Sequence, residues 1–246
     1  IKEFEREVAL PGKELSDLIE KTSFAMASQD VRYYLNGILL EVSPSQINVV
    51  ATDGHRLAWS SCKIKTDFTD EKIIIPRKSA LELQKLLNLY PDNVNIAFNS
   101  NQLKVFSDEY TFISKLIEGS YPDYEKVFPK GTEQKLKANK SLVQTALNRA
   151  AVLSNEKYRG VKFILEKDNL KICANNPSKE SAEEEVLVEY SGDSFEIGFN
   201  ISYVQESLSV ISNNEVEFVF FGSENSCLVK NIDDESLIHV IMPMRL

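Results

Sequence analysis

The sequence predicts an α+β fold built twice, each copy carrying two helices packed on antiparallel sheets. Strand-like and helix-like stretches recur in one order through both halves of the 246-residue chain. Two pairs of short segments also align directly at nearly equal spacing. Ala25-Met26-Ala27-Ser28-Gln29-Asp30 matches Ala151-Val152-Leu153-Ser154-Asn155-Glu156, and Val94-Asn95-Ile96-Ala97-Phe98 matches Val216-Glu217-Phe218-Val219-Phe220. A small drift in spacing is what unequal loops produce. In the first half, Asp53-Gly54 lies between two apolar runs and predicts a two-residue hairpin turn of type I′, with φ > 0 at both central residues.

Taken in order, Glu5 to Leu10 alternates as a strand and Pro11-Gly12 breaks it. Lys13 to Lys21 then sets Leu15, Leu18 and Ile19 at helical spacing. Strands follow at Gly37–Val42, Ile47–Ala51, Arg56–Ile64 and Lys72–Ile75, the last stopped by Pro76. Ser79–Leu89 is a helix with Leu81, Leu83, Leu86 and Leu87, followed by strands at 94–98, 102–106 and 110–116. Residues 118–131, with Gly119, Pro122, Pro129 and Gly131, read as a connector, and the domains divide as 1–127 and 128–246. The second half has strands at 136–138, 161–165, 170–174, 185–190 and 195–199, then 216–221, 226–230 and 237–242. Its helices are Ser141–Ala151 and Ser202–Ile211.

Hydrophobic residues make up 43% of the chain and charged ones 26%, the balance of a soluble globular protein. No apolar run is long enough to span a membrane, and no export leader precedes Glu5. Beginning at Ile1, the chain reads as a fragment or a processed form. Cys62, Cys173 and Cys227 are odd in number and scattered, as expected of buried, reduced thiols in a cytoplasmic protein. A net charge of −9 argues against coating nucleic acid by bulk electrostatics. A segregated basic face remains open, since Lys13, Lys21, Arg77, Lys78, Lys85, Lys140 and Arg149 lie on or beside helices. Carboxylates gather elsewhere, as in the run through Glu183, Glu184, Glu185 and Glu189.

Two apolar features call for a function. The hairpin tip presents Thr52, His55 and Arg56 beside Leu57. The chain closes on Met242-Pro243-Met244-Arg245-Leu246, where Pro243 cannot join a strand ladder and methionines suit a surface for varied partners. Catalysis is poorly supported. Asp53, His55 and Ser60 or Ser61 do not make a triad by spacing, and the chain has neither a GxSxG nor a glycine-rich loop. Its two histidines, His55 and His239, lack a ligand cluster for a metal.

These residues carry a resemblance. Ala51-Thr52-Asp53-Gly54-His55-Arg56-Leu57-Ala58, Gln29 to Gly37, Ile75-Pro76-Arg77-Lys78, Tyr121-Pro122-Asp123-Tyr124, Leu153 to Lys157 and Met242 to Leu246 look like the bacterial DNA polymerase III β subunit. The likeness runs through nearly the whole chain and concerns the second and third of that family's three clamp repeats. It implies two repeated DNA-clamp domains of a non-enzymatic, cofactor-free, cytoplasmic processivity factor. That factor is a ring homodimer when full length; it encircles double-stranded DNA without sequence specificity and binds motifs of the polymerase, clamp loader and repair partners.

Carried over by position, the family's interdomain peptide cleft implicates Arg32, Tyr34, Leu35, Thr52, Gly54, His55, Arg56, Leu57, Pro122, Val127, Asn200, Tyr203, Ser226, Val240, Met242, Pro243, Met244, Arg245 and Leu246. Gln29, Tyr33, Arg77 and Lys78 would face DNA, and Val152, Leu153, Glu180 and Glu183 the ring interface. The alternative is a two-repeat peptide-binding scaffold that does not itself retain DNA. An enzyme ranks third.

Overall fold

The structure is a computed structural model that describes residue 4 and residues 7–67, 69–232 and 234–246. Glu5 and Arg6, part of the expected first strand, lie outside the described residues. The chain forms two compact units, Ile1–Asp123 and Tyr124–Leu246, divided earlier than the expected boundary after residue 127.

Unit 1 runs β1 (Glu7–Pro11), α1 (Gly12–Ser23), a 3-10 turn (Tyr33–Asn36), β2 (Gly37–Val42), β3 (Gln46–Thr52), β4 (Arg56–Lys63) and β5 (Glu71–Pro76). It continues with α2 (Arg77–Leu89), β6 (Asn93–Phe98), β7 (Gln102–Phe106) and β8 (Thr111–Lys115). Unit 2 repeats that order after a 3-10 turn (Tyr124–Val127). Its first part is β9 (Gln134–Asn139), α3 (Lys140–Val152), β10 (Gly160–Glu166), β11 (Asn169–Asn175) and β12 (Ser181–Leu187). Then come β13 (Phe195–Asn200), α4 (Ile201–Ser209), β14 (Glu215–Phe220), β15 (Cys227–Asn231) and β16 (Leu237–Ile241). Pairing is antiparallel in both. Unit 1 has strands in the orders β1-β6-β7-β8 and β5-β2-β3-β4; unit 2 has β9-β14-β15-β16 and β13-β10-β11-β12. The duplication read from two short alignments therefore extends to every strand neighbour.

The helices form because each presents one apolar stripe to its unit's core. Helix α1 buries Leu15, Leu18 and Ile19, α2 buries Ala80, Leu83 and Leu87, α3 buries Val143, Ala146 and Leu147, and α4 buries Ile201, Val204 and Leu208. Each large aliphatic side chain so buried contributes roughly 1.5–3 kcal/mol. One polar bond ties each helix pair. Ser16 Oγ donates to Asn88 Oδ1 at 2.6 Å in unit 1, and Gln205 Nε2 donates to Asn148 Oδ1 at 2.8 Å in unit 2. Helix starts differ between the units: Pro11 and Pro76 precede α1 and α2, whereas the side chains of Asn139 and Asn200 cap α3 and α4. The unit 2 core is aromatic, with Phe163 edge-on to Phe199 and Phe218 at centroid distances of 5.4 and 6.2 Å.

Two expectations differ, one strand and the burial of the cysteines. The strand placed at 185–190 is β12, Ser181–Leu187, because residues 181–187 pair with β11 while Glu189 leaves to bridge Lys137. Glu183 and Glu185 face outward, whereas Glu184, on the face of Val186, is half-buried and pairs with Arg149 of α3; β12 is the edge strand of its sheet. Among the cysteines only Cys227 is buried. Cys62 and Cys173 are half-buried and all three are free thiols, with burial pushing Cys62 up to about 11.

Candidate functional site

The hairpin tip is built differently from the expected two-residue turn. Thr52 pairs with Leu57, leaving residues 53–56 as the loop, and only Gly54 there has positive φ, at 91°. The reason is the Asp53 side chain. Its Oδ1 accepts from the backbone N–H of His55 at 2.9 Å and of Arg56 at 3.1 Å, closing the loop without a left-handed Asp53. Thr52 Oγ1 donates to the Arg56 carbonyl and accepts from Gly54 N–H. His55 is exposed.

Arg56, expected among the cleft residues at the hairpin tip, is buried at 9% exposure. Its Nε donates to Asp53 Oδ2 at 3.1 Å, its Nη2 donates to the Phe24 carbonyl at 2.8 Å, and its guanidinium stands 5.3 Å from the Phe24 ring centre. It thus fastens the tip to the end of α1. Leu57, expected to line a pocket, is 1% exposed.

Arg32 closes over the same loop. It grips Asp30 through Nε and Nη2, and Nη2 also donates to the Asp53 carbonyl at 3.3 Å. Glycine is favoured at position 54 by its φ, and a Cβ there would press on the Arg32 guanidinium, 3.1 Å away at Nη2. Hydrogen bonds from Arg32, the side chain's first and the backbone's second, hold the Asp30 carboxyl at about 2 against an ordinary 3.8. With the folded value depressed, the pair's stabilisation is complete above pH 3.8 and is lost as pH falls toward 2. NMR titration of Asp30 should therefore give a midpoint near 2; a midpoint at the ordinary value would mean the pair does not hold in solution.

Sequence reasoning missed Tyr121 at this site. Its hydroxyl oxygen accepts the Thr52 N–H at 3.0 Å, and burial raises its pKa well above a tyrosine's usual value. The tyrosine stood in the Tyr121-Pro122-Asp123-Tyr124 motif of the resemblance, but only Pro122 of that motif was carried to the cleft. Pro122 itself is exposed, Tyr34 half-buried and Leu35 buried.

Of the DNA-facing expectations, Gln29 is exposed with φ 57°, Tyr33 is 57% exposed and Lys78 is exposed. Arg77 is half-buried and donates Nη1 to the Met26 carbonyl at 3.2 Å. The expected segregation of basic residues onto the helices, with carboxylates elsewhere, is only partial. Helix α1 carries Glu14, Asp17 and Glu20 against Lys13 and Lys21. Lys13 pairs with Asp17, Lys85 with Glu82 and Arg149 with Glu184. Arg77 and Lys78 open α2 with no carboxylate in its first turn, and α3 carries Lys140 and Arg149 with no carboxylate of its own.

In unit 2, β16 ends at Ile241. Beyond it Met242 is 37% and Leu246 66% exposed, while Met244 N–H donates to the Gly198 carbonyl at 2.9 Å. Met244, Arg245 and Leu246 form one wall of a pocket of about 820 Å³, with Tyr158, Ile164, Cys173, Ala182 and Glu183 among its other lining residues. Pro243 is half-buried, and Val240, expected to face a ligand, is fully covered. Asn200 Oδ1 accepts the Ser202 N–H as the cap of α4, and Tyr203 packs on the unit 2 core. Val127 and Ser226 are half-buried. Val152 is 78% exposed at the end of α3 with Leu153 half-buried beside it. Glu180 is exposed, and Glu183 lies 3.8 Å from Lys171.

No catalytic arrangement forms around Asp53, whose oxygens are engaged by the His55 and Arg56 amides and the Arg56 side chain. Among the described residues no group of three or more His, Cys, Asp or Glu could hold a metal ion, and no helix is long and apolar enough to cross a membrane.

The fold defines a duplicated architecture of two sheets and two helices in each unit. Comparison with known proteins gives the family. The central domain of the DNA polymerase III beta subunit matches residues 9–123, and its C-terminal domain matches residues 125–245. The chain belongs to the DNA polymerase III β subunit family. It is 47% identical over 233 residues to a beta sliding clamp of Pseudomonas aeruginosa, covering 94% of this chain and 64% of the relative. It is 42% identical over 242 residues to one of Escherichia coli, covering 98% and 66%. A crystal structure of a DNA polymerase sliding clamp from Pseudomonas aeruginosa superposes with a TM-score of 0.97 at 44% identity, covering all of this chain and 68% of that one. A griselimycin-bound clamp from the same organism superposes at 0.96 and 44% identity, with the same coverage. The chain thus spans about two thirds of the length of its curated relatives, 64% and 66% for these two.

Proposed function

We infer that the two units serve as the second and third repeats of a cytoplasmic sliding clamp, a non-catalytic processivity factor that encircles duplex DNA and tethers the replicative polymerase. The family match through both units, at 44% identity and a TM-score of 0.97 to a solved clamp, carries this reading. A ring holds DNA by topology, so phosphate contacts need only be weak, and a chain of net charge −9 can do it. Val152, Leu153, Glu180 and Glu183, on or beside α3 and the free edge of β12, would meet the next protomer. The hairpin of unit 1 and residues 242–246 of unit 2 would take short linear motifs of polymerase, clamp loader and repair proteins.

Retention on nicked circular DNA tests the ring, using this chain joined to the preceding repeat of a relative. The complex should persist on the circle and be lost when the DNA is linearised. Equal loss from both would favour a peptide-binding scaffold. On this chain alone, duplex binding should be weak and fall steeply with salt. Arg77→Ala with Lys78→Ala should weaken it about tenfold or more at low salt, by removing phosphate contacts. Filter binding across a salt series checks this, and salt-resistant binding in the double variant would remove those residues from the DNA face.

A further inference from the structure

We propose that Gly160 and Gly198 form a bed that positions residues Met244–Leu246 on β10 and β13, and through them the preceding Met242 and Pro243. The bed is a feature of unit 2 alone; its use rests on the reading of these last residues as a partner surface.

Neither glycine is needed for its own backbone. The positive-φ glycines are Gly54, Gly119, Gly131 and Gly222, and Gly160 and Gly198 lie in paired strands, opposite Asn200 and Lys162. A glycine inside a strand weakens it and marks a place where something approaches closely. Here the approaching group is visible. A Cβ on Gly198 would stand 2.4 Å from the Met244 carbonyl oxygen and 2.8 Å from Leu246 Cγ. A Cβ on Gly160 would stand 2.4 Å from Leu246 Cδ2. Residues 244–246 therefore lie in space that any side chain at these positions would claim.

The two contacts differ in kind. Met244 O is backbone, so relieving its clash moves the segment; Leu246 Cδ2 ends a side chain and can rotate away. Gly198 also accepts the Met244 N–H at 2.9 Å on β13, the last strand of its sheet among the described residues. The segment thus covers a stretch of open sheet edge. The segment also lines the pocket of about 820 Å³ together with Gly160. One backbone hydrogen bond and the close approach over two glycines fix where the preceding residues point.

Amide hydrogen exchange at Met244 tests the bed directly. Gly198→Ala should lower its protection about tenfold or more, as expected when a locally held segment is released, and Gly160→Ala should lower it less. In a chain ending at Ile241 the penalty should vanish, with Gly198→Ala melting at or above its parent, because the atoms it meets are gone. Unchanged Met244 exchange in Gly198→Ala would overturn the proposal. So would a melting-temperature loss of equal size in the full and shortened chains, which would show the glycine serving the sheet itself. Affinity for a Leu-containing partner peptide is measured separately and bears only on the partner reading.

Discussion

Arg56→Ala is expected to destabilise unit 1 by about 3 kcal/mol, the cost of removing one partner from a buried, hydrogen-bonded ion pair. The Arg56 and Asp53 side chains are 10% and 16% exposed, so water cannot readily replace the guanidinium. The change removes the bond to Asp53, the bond to the Phe24 carbonyl and the stacking on the Phe24 ring. Arg56→Lys should recover only part, since an ammonium cannot reproduce the planar fork. Asp53→Ala with Arg56→Ala should lose less than the sum of the single changes, because no unpaired charge is left behind. Urea unfolding of the four proteins measures all of this. A loss below about 0.5 kcal/mol in Arg56→Ala would mean the pair is solvated and contributes no more than an ordinary surface bridge.

Removing residues 242–246 is expected to leave the fold nearly intact while abolishing most partner-peptide binding. Strand β16 already ends at Ile241, and Met242 beyond it is exposed. The backbone bond lost, from Met244 N–H to Gly198, is worth about 0.5–1.5 kcal/mol. A short peptide with one Leu and a following Leu or Phe should bind the full chain with a dissociation constant on the order of micromolar, two or three buried side chains less the cost of ordering the peptide. The shortened chain should bind it at least about tenfold more weakly, a loss of about 1.4 kcal/mol. Calorimetry with one peptide on both chains decides the matter, and equal affinities would exclude residues 242–246 from the partner surface.

The contrast between Arg56 and the strands around it shows what a sequence displays. Strand β2 at Gly37–Val42 and strand β7 at Gln102–Phe106 fall where apolar patterning placed them, and the helices start and stop within about two residues of expectation. Repetition was equally legible, because an apolar period of 2 or 3.6 is a local property that survives in both copies. Family membership could be recognised for the same reason: Thr52-Asp53-Gly54-His55-Arg56-Leu57 and the closing Met-Pro-Met-Arg-Leu are contiguous.

Features involving residues distant in sequence were not legible. Asp53-Gly54 marked the hairpin, but the turn type was set by an Asp53 carboxylate capturing two amides and a guanidinium. Burial of Arg56 depends on a Phe24 carbonyl 32 residues away. The acidic strand β12 was misplaced because its register follows from β11, not from its own pattern. Gly160 and Gly198 could have been noticed as glycines within strand patterns, but the reason for them lies in Met244 and Leu246. The sequence by itself determined the elements, their order and the family, since those rest on local periodicity and contiguous motifs. Only the tertiary structure decided which polar and glycine positions hold the tip and the last residues in place, since hydrogen bonding and close approach depend on three-dimensional proximity.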